Sequence, residues 1–141
     1  MIKKVTIIDY GAGNLLSIVR AFQKCGADVE ITHNSQKIKK SSSLILPGDG
    51  AFGFAMNSLK KLEILKEIKD FSKSGNPIFG ICLGMQLLFT ESEEFGKHNG
   101  INLIKGKIIK INQTDKKYKV PVIGWNKVKI SNIYLKKKIF N

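Results

Sequence analysis

The chain has 141 residues, of which 43% are hydrophobic and 25% charged, a length and composition that favour one globular domain with a core over a disordered chain. Its formal net charge is +13, but the lysines are spread along the sequence and Arg20 is the sole arginine, so no basic cluster indicates nucleic-acid binding. The N-terminal apolar stretch at residues 5–8 is shorter than the roughly 7 to 15 residues of a signal-peptide core, and no segment approaches the roughly 20 apolar residues of a membrane helix.

The two cysteines, Cys25 and Cys82, lie far apart in the sequence. Their spacing matches neither a disulfide framework nor a zinc site. We therefore expect a reduced, cytoplasmic setting, with no metal and no cofactor.

The spacing of apolar residues predicts alternating strands and helices. A strand at residues 5–9 is followed by a glycine-rich turn at 11–14 and by a helix that Gly26 ends. Further strands are predicted at residues 28–32, 43–46 and 78–81, and a long helical stretch between the last two stops at residues 74–77. A short helix is predicted directly after Cys82. This alternation predicts an α/β fold with an open, mostly parallel sheet covered by helices on both faces.

The pattern changes after Gly100. Apolar residues at 108–111, 121–125 and 128–130 predict antiparallel strands or an extension of the sheet edge. We find no repeat and no linker, and predict a single domain over residues 1–141. The final stretch is rich in lysine and ends with Ile139 and Phe140, which predicts an incomplete domain with an uncovered apolar edge.

The sharpest signal is the pentapeptide Gly-Ile-Cys-Leu-Gly at residues 80–84, between a predicted strand and a predicted helix. A nucleophile flanked by glycines at such a junction is typical of a nucleophile elbow, whose strained turn lifts the side chain above the sheet. The start of a helix also stabilises the thiolate of Cys82, the form that attacks a carbonyl. By itself, the pentapeptide fits a buried core cysteine equally well.

A second signal is the sequence Pro-Gly-Asp-Gly-Ala-Phe-Gly at residues 47–53, which follows another predicted strand. The carboxyl ends of parallel strands share one edge of the sheet, where α/β proteins bind ligands. Gly48 and Gly50 would expose backbone N–H groups there, and such donors form an oxyanion hole. An ordinary glycine-rich turn is the alternative for this segment considered alone.

Together these segments resemble a known family. Residues 81–89, Ile-Cys-Leu-Gly-Met-Gln-Leu-Leu-Phe, resemble the nucleophile segment of class I (triad) glutamine amidotransferases. Residues 8–15, 46–53 and 123–126 are similar to the glutaminase subunits of imidazole glycerol phosphate synthases. The blocks occur in the family's order along the whole chain, so the resemblance implies the flavodoxin-like fold of these amidotransferases.

The resemblance also implies an activity. A subunit of this family hydrolyses glutamine to glutamate through a thioester, here on Cys82, and supplies ammonia to a synthase barrel with which it forms a heterodimer in histidine biosynthesis. The residues implied in binding glutamine or its oxyanion are Gly48, Gly50, Leu83 and Gln86, and those implied at the partner interface are Asn14, Trp125 and Asn126.

The sequence departs from the family pattern in several places. The family's catalytic histidine and glutamate lie in a His-Pro-Glu segment, which is absent, and His33 and His98 match no family position. The chain also stops short of the family's length, without its last strands, so we expect a truncated product with little or no activity by itself. Val122 replaces an expected polar residue, which puts the partner contact there in doubt. Asp49 replaces a small apolar residue and is expected to point to solvent.

Three alternatives stay open on the sequence. Residues 93–100 are also similar to paralogues that serve sugar amidotransferases in surface polysaccharide synthesis. The missing His-Pro-Glu segment fits a remnant that only docks on a synthase. A basic flavodoxin-like module holding a phosphate at residues 11–14 would explain the charge but not the elbow.

Overall fold

The computed structural model describes residues 3–111 together with Gly124, Trp125 and Lys127. By its internal contacts the chain divides into two units, residues 1–110 and 111–141, and every element described here lies in the first. The strands are β1 (Lys3–Ile8), β2 (Ala27–Thr32), β3 (Leu44–Leu46), β4 (Ile78–Gly80), β5 (Phe89–Ser92), β6 (His98–Asn99) and β7 (Ile104–Ile108). The helices are α1 (Leu15–Lys24), α2 (Ser35–Lys39), α3 (Phe52–Lys61), α4 (Leu65–Lys73) and α5 (Leu83–Leu87).

The first four strands form a parallel sheet in the order β2-β1-β3-β4. β1 pairs with β2 from Lys3 and Ala27 to Ile8 and Thr32, and β3 lies between β1 and β4. Because the strands are parallel, their carboxyl ends meet at one edge of the sheet. The predicted open, parallel α/β sheet is confirmed, and the segments that follow β1, β3 and β4 come together at that edge.

Helices cover both faces of this sheet, as predicted. On one face α1 packs against Val5, Ile7 and Ile45 through apolar side chains at helical spacing: Leu15, Ile18, Val19 and Phe22. The larger core on the other face joins β1 and β3 to the remaining helices, through Ile8, Ile38, Leu44, Leu46, Phe52, Leu59, Ile68 and Leu87. Burying one such side chain contributes about 1.5–3 kcal/mol to the free energy of unfolding. Both layers of helices therefore stabilise the sheet that carries the carboxyl edge.

A second sheet of three strands follows α5, in the order β6-β5-β7. β5 runs antiparallel to β6 and parallel to β7. The sheet is attached to the end of α5, because the N–H of Ile101 donates to the carbonyl of Leu87 at 2.8 Å and the N–H of Leu103 to that of Leu88 at 2.8 Å. The β5–β6 hairpin therefore extends from the helix that follows Cys82.

The long helical stretch predicted before residue 74 is two helices, α3 and α4. Glu63 separates them with a positive φ of 55°, and the N–H groups of Leu62 and Glu63 donate to Ser58 and Lys60 to close the end of α3. This turn brings Ile64 into the core, where it is 1% exposed. Burial of Ile64 therefore overrides the local preference for one continuous helix.

Three other elements differ from the prediction. Residues 91–100, where no strand is predicted, contain the end of β5 and all of β6, and the strand predicted at residues 108–111 lies at Ile104–Ile108. The short helix α2 was not predicted, although Asn34 caps it by accepting from the N–H groups of Gln36 and Lys37. The strands predicted at residues 121–125 and 128–130 lie outside the described residues, except for Gly124 and Trp125.

Candidate active site

Cys82 lies in the turn between β4 and α5, in a strained backbone conformation. Its φ is 53° and its ψ is −117°, a region that residues with a side chain rarely occupy and that costs about 1–3 kcal/mol. The carbonyl of Cys82 accepts from the N–H groups of Met85 and Gln86 at 3.0 and 3.2 Å, which fixes the turn. The thiol is exposed, so the alternative of a buried core cysteine is wrong, and the geometry is that of a nucleophile elbow.

The two glycines of the elbow are required by close packing. A Cβ on Gly84 would lie 1.8 Å from the carbonyl oxygen of Leu46, and a Cβ on Gly80 would lie 2.5 Å from the Cα of Met85. Distances below 3.0 Å are not found between a Cβ and a backbone atom. The start of α5 therefore lies directly against the end of β3, which brings Cys82 to the glycine-rich segment that follows β3.

That segment, residues 47–51, is named the glycine loop below. A Cβ on Gly48 would lie 2.9 Å from the N atom of Gly84 and 3.0 Å from the Cβ of Leu83, so the loop and the elbow are in contact. Within the described residues, the N–H groups of Gly48, Asp49, Gly50 and Leu83 donate to no acceptor. Unpaired N–H groups beside an exposed thiol are the donors that an oxyanion hole requires.

Tyr10, which the sequence analysis does not predict as a site residue, holds the start of the glycine loop. It is 3% exposed, and its hydroxyl donates to the carbonyl of Pro47. Burial raises the pKa of Tyr10 well above its ordinary value, and the nearby negative charges of Asp49 and Cys82 raise this pKa further. The hydroxyl thus stays protonated and keeps its hydrogen bond to the loop.

Asp49 joins the glycine loop to the loop after β1. It is exposed, as expected, but its Oδ1 accepts from the N–H of Gly13 at 3.0 Å. The neighbouring Asn14 caps α1, its Oδ1 accepting from the N–H of Ser17 at 3.1 Å. The carboxylate of Asp49 is therefore engaged with Gly13, and Asn14 is exposed on the same side of the fold.

For the other predicted site residues, Gln86, Trp125 and Asn126, the part of the chain that the structure describes shows no contact that assigns a role. Gln86 is half-buried on α5, one turn after Cys82. Trp125 is fully exposed and belongs to the second unit, and Asn126 lies outside the described residues. The predicted roles of all three stay predictions.

Neither histidine is hydrogen-bonded to Cys82 in the part of the chain described. His33 is exposed and lines a cavity of about 330 Å³ together with Asp9, Tyr10 and Lys61. His98 is half-buried on β6, where its ring packs against Gly53. The β5–β6 hairpin thus folds His98 onto the start of α3.

Two further features concern the wider chain. Among residues 3–111, 124, 125 and 127, no group of three His, Cys, Asp or Glu side chains is arranged to hold a metal ion. No helix in this part is long and apolar enough to cross a membrane. The reactive group that the geometry sets apart is the thiol of Cys82.

Comparison with known proteins agrees with this geometry. The family described as glutamine amidotransferase class-I matches residues 6–138 of the chain. The HisH subunit of imidazole glycerol phosphate synthase from Sulfurimonas denitrificans is 48% identical over 126 residues, covering 88% of this chain and 61% of that protein. The HisH subunit from Wolinella succinogenes is 44% identical over 136 residues, covering 95% and 64%. The chain thus spans less than two thirds of the length of these relatives.

A solved structure shows the same fold. The crystal structure of a glutamine amidotransferase matches with a TM-score of 0.64 at 17% identity, over 74% of this chain and 55% of that one. At that level of identity the likeness concerns the fold alone. The family resemblance inferred from the motifs is confirmed by the family match, which includes the elbow and the glycine loop.

Proposed function

The chain belongs to the class I glutamine amidotransferases, and from that membership we propose that it is a glutaminase subunit in which Cys82 attacks the side-chain amide of glutamine. The thiolate adds to the amide carbon, and the oxygen takes up the negative charge. Collapse of this intermediate breaks the C–N bond, releases ammonia once the nitrogen is protonated, and leaves a thioester. Water then hydrolyses the thioester to glutamate and the free thiol.

The observation that carries this proposal is the contact between elbow and glycine loop. The N–H of Leu83 and those of Gly48 and Gly50 have no acceptor within the described residues, and the thiol beside them is exposed. One such donor, when it is lost from an oxyanion hole, typically lowers the rate about 100- to 1000-fold. We assign Gln86 to the bound glutamine because it lies one turn further along α5.

The partner belongs to the same proposal. The two relatives described above are subunits of imidazole glycerol phosphate synthase, so we propose that the ammonia passes to a synthase barrel in histidine biosynthesis. Asn14 is exposed at the carboxyl edge, on the side of Cys82, and is assigned to that interface together with Trp125 and Asn126.

We further propose that the 141-residue chain turns over little glutamine without help. A thioester mechanism needs a base within hydrogen-bond reach of the thiol. His33 and His98 are the two histidines of the sequence, and in the structure one lines a cavity with Lys61 while the other packs on Gly53. Loss of the base removes most of the rate but leaves the contribution of binding and of the oxyanion donors.

The test is covalent labelling with a chloroketone analogue of glutamine, followed by peptide mass spectrometry, with and without a synthase barrel. We expect mass added at Cys82, suppressed by glutamine and abolished in Cys82→Ser. Cys25 is also free and exposed, so Cys25→Ser is the matched control and should label as the wild type does. Labelling that glutamine does not suppress, or that falls on Cys25 instead, would contradict the proposal.

A further inference from the structure

Helix α3 follows directly on the glycine loop, and its first turn has no cap of its own. Ala51 at the N-cap offers no side-chain acceptor, and the first turn contains no acidic residue. The first N–H groups of a helix have no partner inside the helix and need one from elsewhere. Here that partner comes from 42 residues further along the chain: the Oε2 of Glu94 accepts from the N–H of Phe52 at 2.7 Å.

The carboxylate of Glu94 is presented by a fixed turn. The N–H of Glu94 donates to the hydroxyl of Ser92 at 3.1 Å, and Ser92 is fully buried. The preceding N–H, of Glu93, donates to the carbonyl of Ile108 in β7 at 3.0 Å. Both bonds fix the backbone at Glu94 relative to the second sheet.

The same hairpin contacts the start of α3 a second time. His98 pairs with Ser92 across the β5–β6 ladder, and its ring lies so close to Gly53 that a Cβ there would be 2.6 Å from the Cε1 atom. The ring is also 6.5 Å from that of Phe52, centroid to centroid. The hairpin begins at the end of α5 and reaches the end of the glycine loop, so it connects the two halves of the site.

We propose that Glu94 is a positioning residue that holds the glycine loop beside Leu83, an inference that rests on the proposed glutaminase function. The start of the loop is held by Tyr10 and its middle by Gly13, whereas Phe52, the residue directly after the loop, is held by Glu94. A hydrogen bond to an ionised carboxylate is roughly twice as strong as a neutral one. Without it, the last residues of the loop lose their fixed position, and the unpaired N–H groups lose their alignment with the thiol.

The test compares three variants in the labelling assay, with the maximal rate and the half-saturating concentration of the chloroketone measured separately. Glu94→Ala should lower the maximal rate about tenfold or more and leave the half-saturating concentration unchanged, because donors are displaced but no substrate contact is lost. Glu94→Gln keeps an acceptor and should stay within about threefold of wild type. The control is Glu93→Ala, which removes an adjacent carboxylate paired with Lys107 at 2.7 Å and should behave as wild type.

Amide hydrogen exchange gives a second readout that does not depend on glutamine chemistry. A peptide covering residues 47–53 should exchange faster in Glu94→Ala than in Glu94→Gln or Glu93→Ala. Glu94→Ala removes the partner of the Phe52 N–H and should melt several degrees below the wild type, whereas Glu94→Gln and Glu93→Ala should melt at nearly the wild-type temperature.

Three results would overturn the inference alone. They are wild-type labelling and exchange in Glu94→Ala, a higher half-saturating concentration with an unchanged maximal rate in Glu94→Ala, and equal losses of maximal rate in Glu94→Gln and Glu94→Ala. A failure of the proposed function has a different signature. In that case the wild-type chain reacts with iodoacetamide at Cys82 but not with the chloroketone, and the inference falls with the function.

Discussion

Replacement of Gly84 by alanine tests how closely the elbow depends on its contact with β3. The added Cβ would lie 1.8 Å from the carbonyl oxygen of Leu46 and 2.7 Å from that of Pro47. These are backbone atoms of a buried strand and of the loop that follows, so they cannot rotate away as a side chain would. Restoring an ordinary contact of 3.4 Å requires the start of α5 to move by about 1.6 Å.

A displacement of that size should separate the thiol from the loop donors. A misplacement of about 1 Å lowers a rate about 100-fold, and overpacking costs typically about 1–3 kcal/mol. We therefore expect Gly84→Ala to fold, with a lower melting temperature, and to label at Cys82 at least about 100-fold more slowly with the chloroketone analogue.

The matched control is Gly26→Ala. Gly26 has a φ of 78°, nothing lies within 4 Å of a Cβ there, and the residue follows α1 at the opposite end from the site. The strain of a left-handed alanine costs about 1–2 kcal/mol, so this variant should lose similar stability without any loss of labelling. Wild-type labelling in Gly84→Ala, or an equal loss in both variants, would refute the reasoning.

Two further predictions concern Tyr10 and Cys82. The pKa of Tyr10 is raised in the folded state, so its hydroxyl stays protonated at a pH where the unfolded chain, with an ordinary pKa of 10.0, ionises. The contribution of this hydroxyl to the free energy of unfolding is therefore complete below pH 10 and declines above it. The difference in unfolding free energy between wild type and Tyr10→Phe should therefore shrink by about 1.4 kcal/mol per pH unit above pH 10, and urea denaturation that shows a pH-independent difference would contradict this. Cys82→Gly relieves the backbone strain at φ 53° and should raise the free energy of unfolding by about 1 kcal/mol, after the greater entropy of the unfolded glycine chain is subtracted. Cys82→Ala keeps the strain and should not raise it. Equal stabilities of the two variants in urea would count against a strained elbow.

The parts of the fold that the sequence predicts are those fixed by local pattern. The apolar spacing from Leu15 to Phe22 and the capping residue Asn14 define α1, the β-branched residues from Val5 to Ile8 define β1, and an apolar run defines β3. The break between α3 and α4 carries no glycine or proline: Glu63 adopts its positive φ because Ile64 gains burial in a core that forms only in three dimensions.

The residues of the site also fall into those that local sequence predicts and those that only the fold brings together. Cys82 and the glycine loop are recognisable because strained turns and close contacts require glycine at fixed positions. Tyr10 and Glu94 hold that loop through hydrogen bonds to Pro47 and Phe52, 37 and 42 residues away in sequence. Both act on backbone atoms, which any residue type supplies, so no local pattern in the sequence marks the pairing.

The distance along the chain between Phe52 and Glu94 has a consequence during synthesis. Glu94 follows Phe52 by 42 residues, which the ribosome adds in roughly 2–8 s at about 5–20 residues per second. During that interval β1, β2 and β3 are available to pair, but the carboxylate that holds the start of α3 has not been made, and Cys82 itself is added only near the end. A nascent chain therefore lacks the Cys82 thiol for most of that interval, and its glycine loop is not held at Phe52 until Glu94 has been translated.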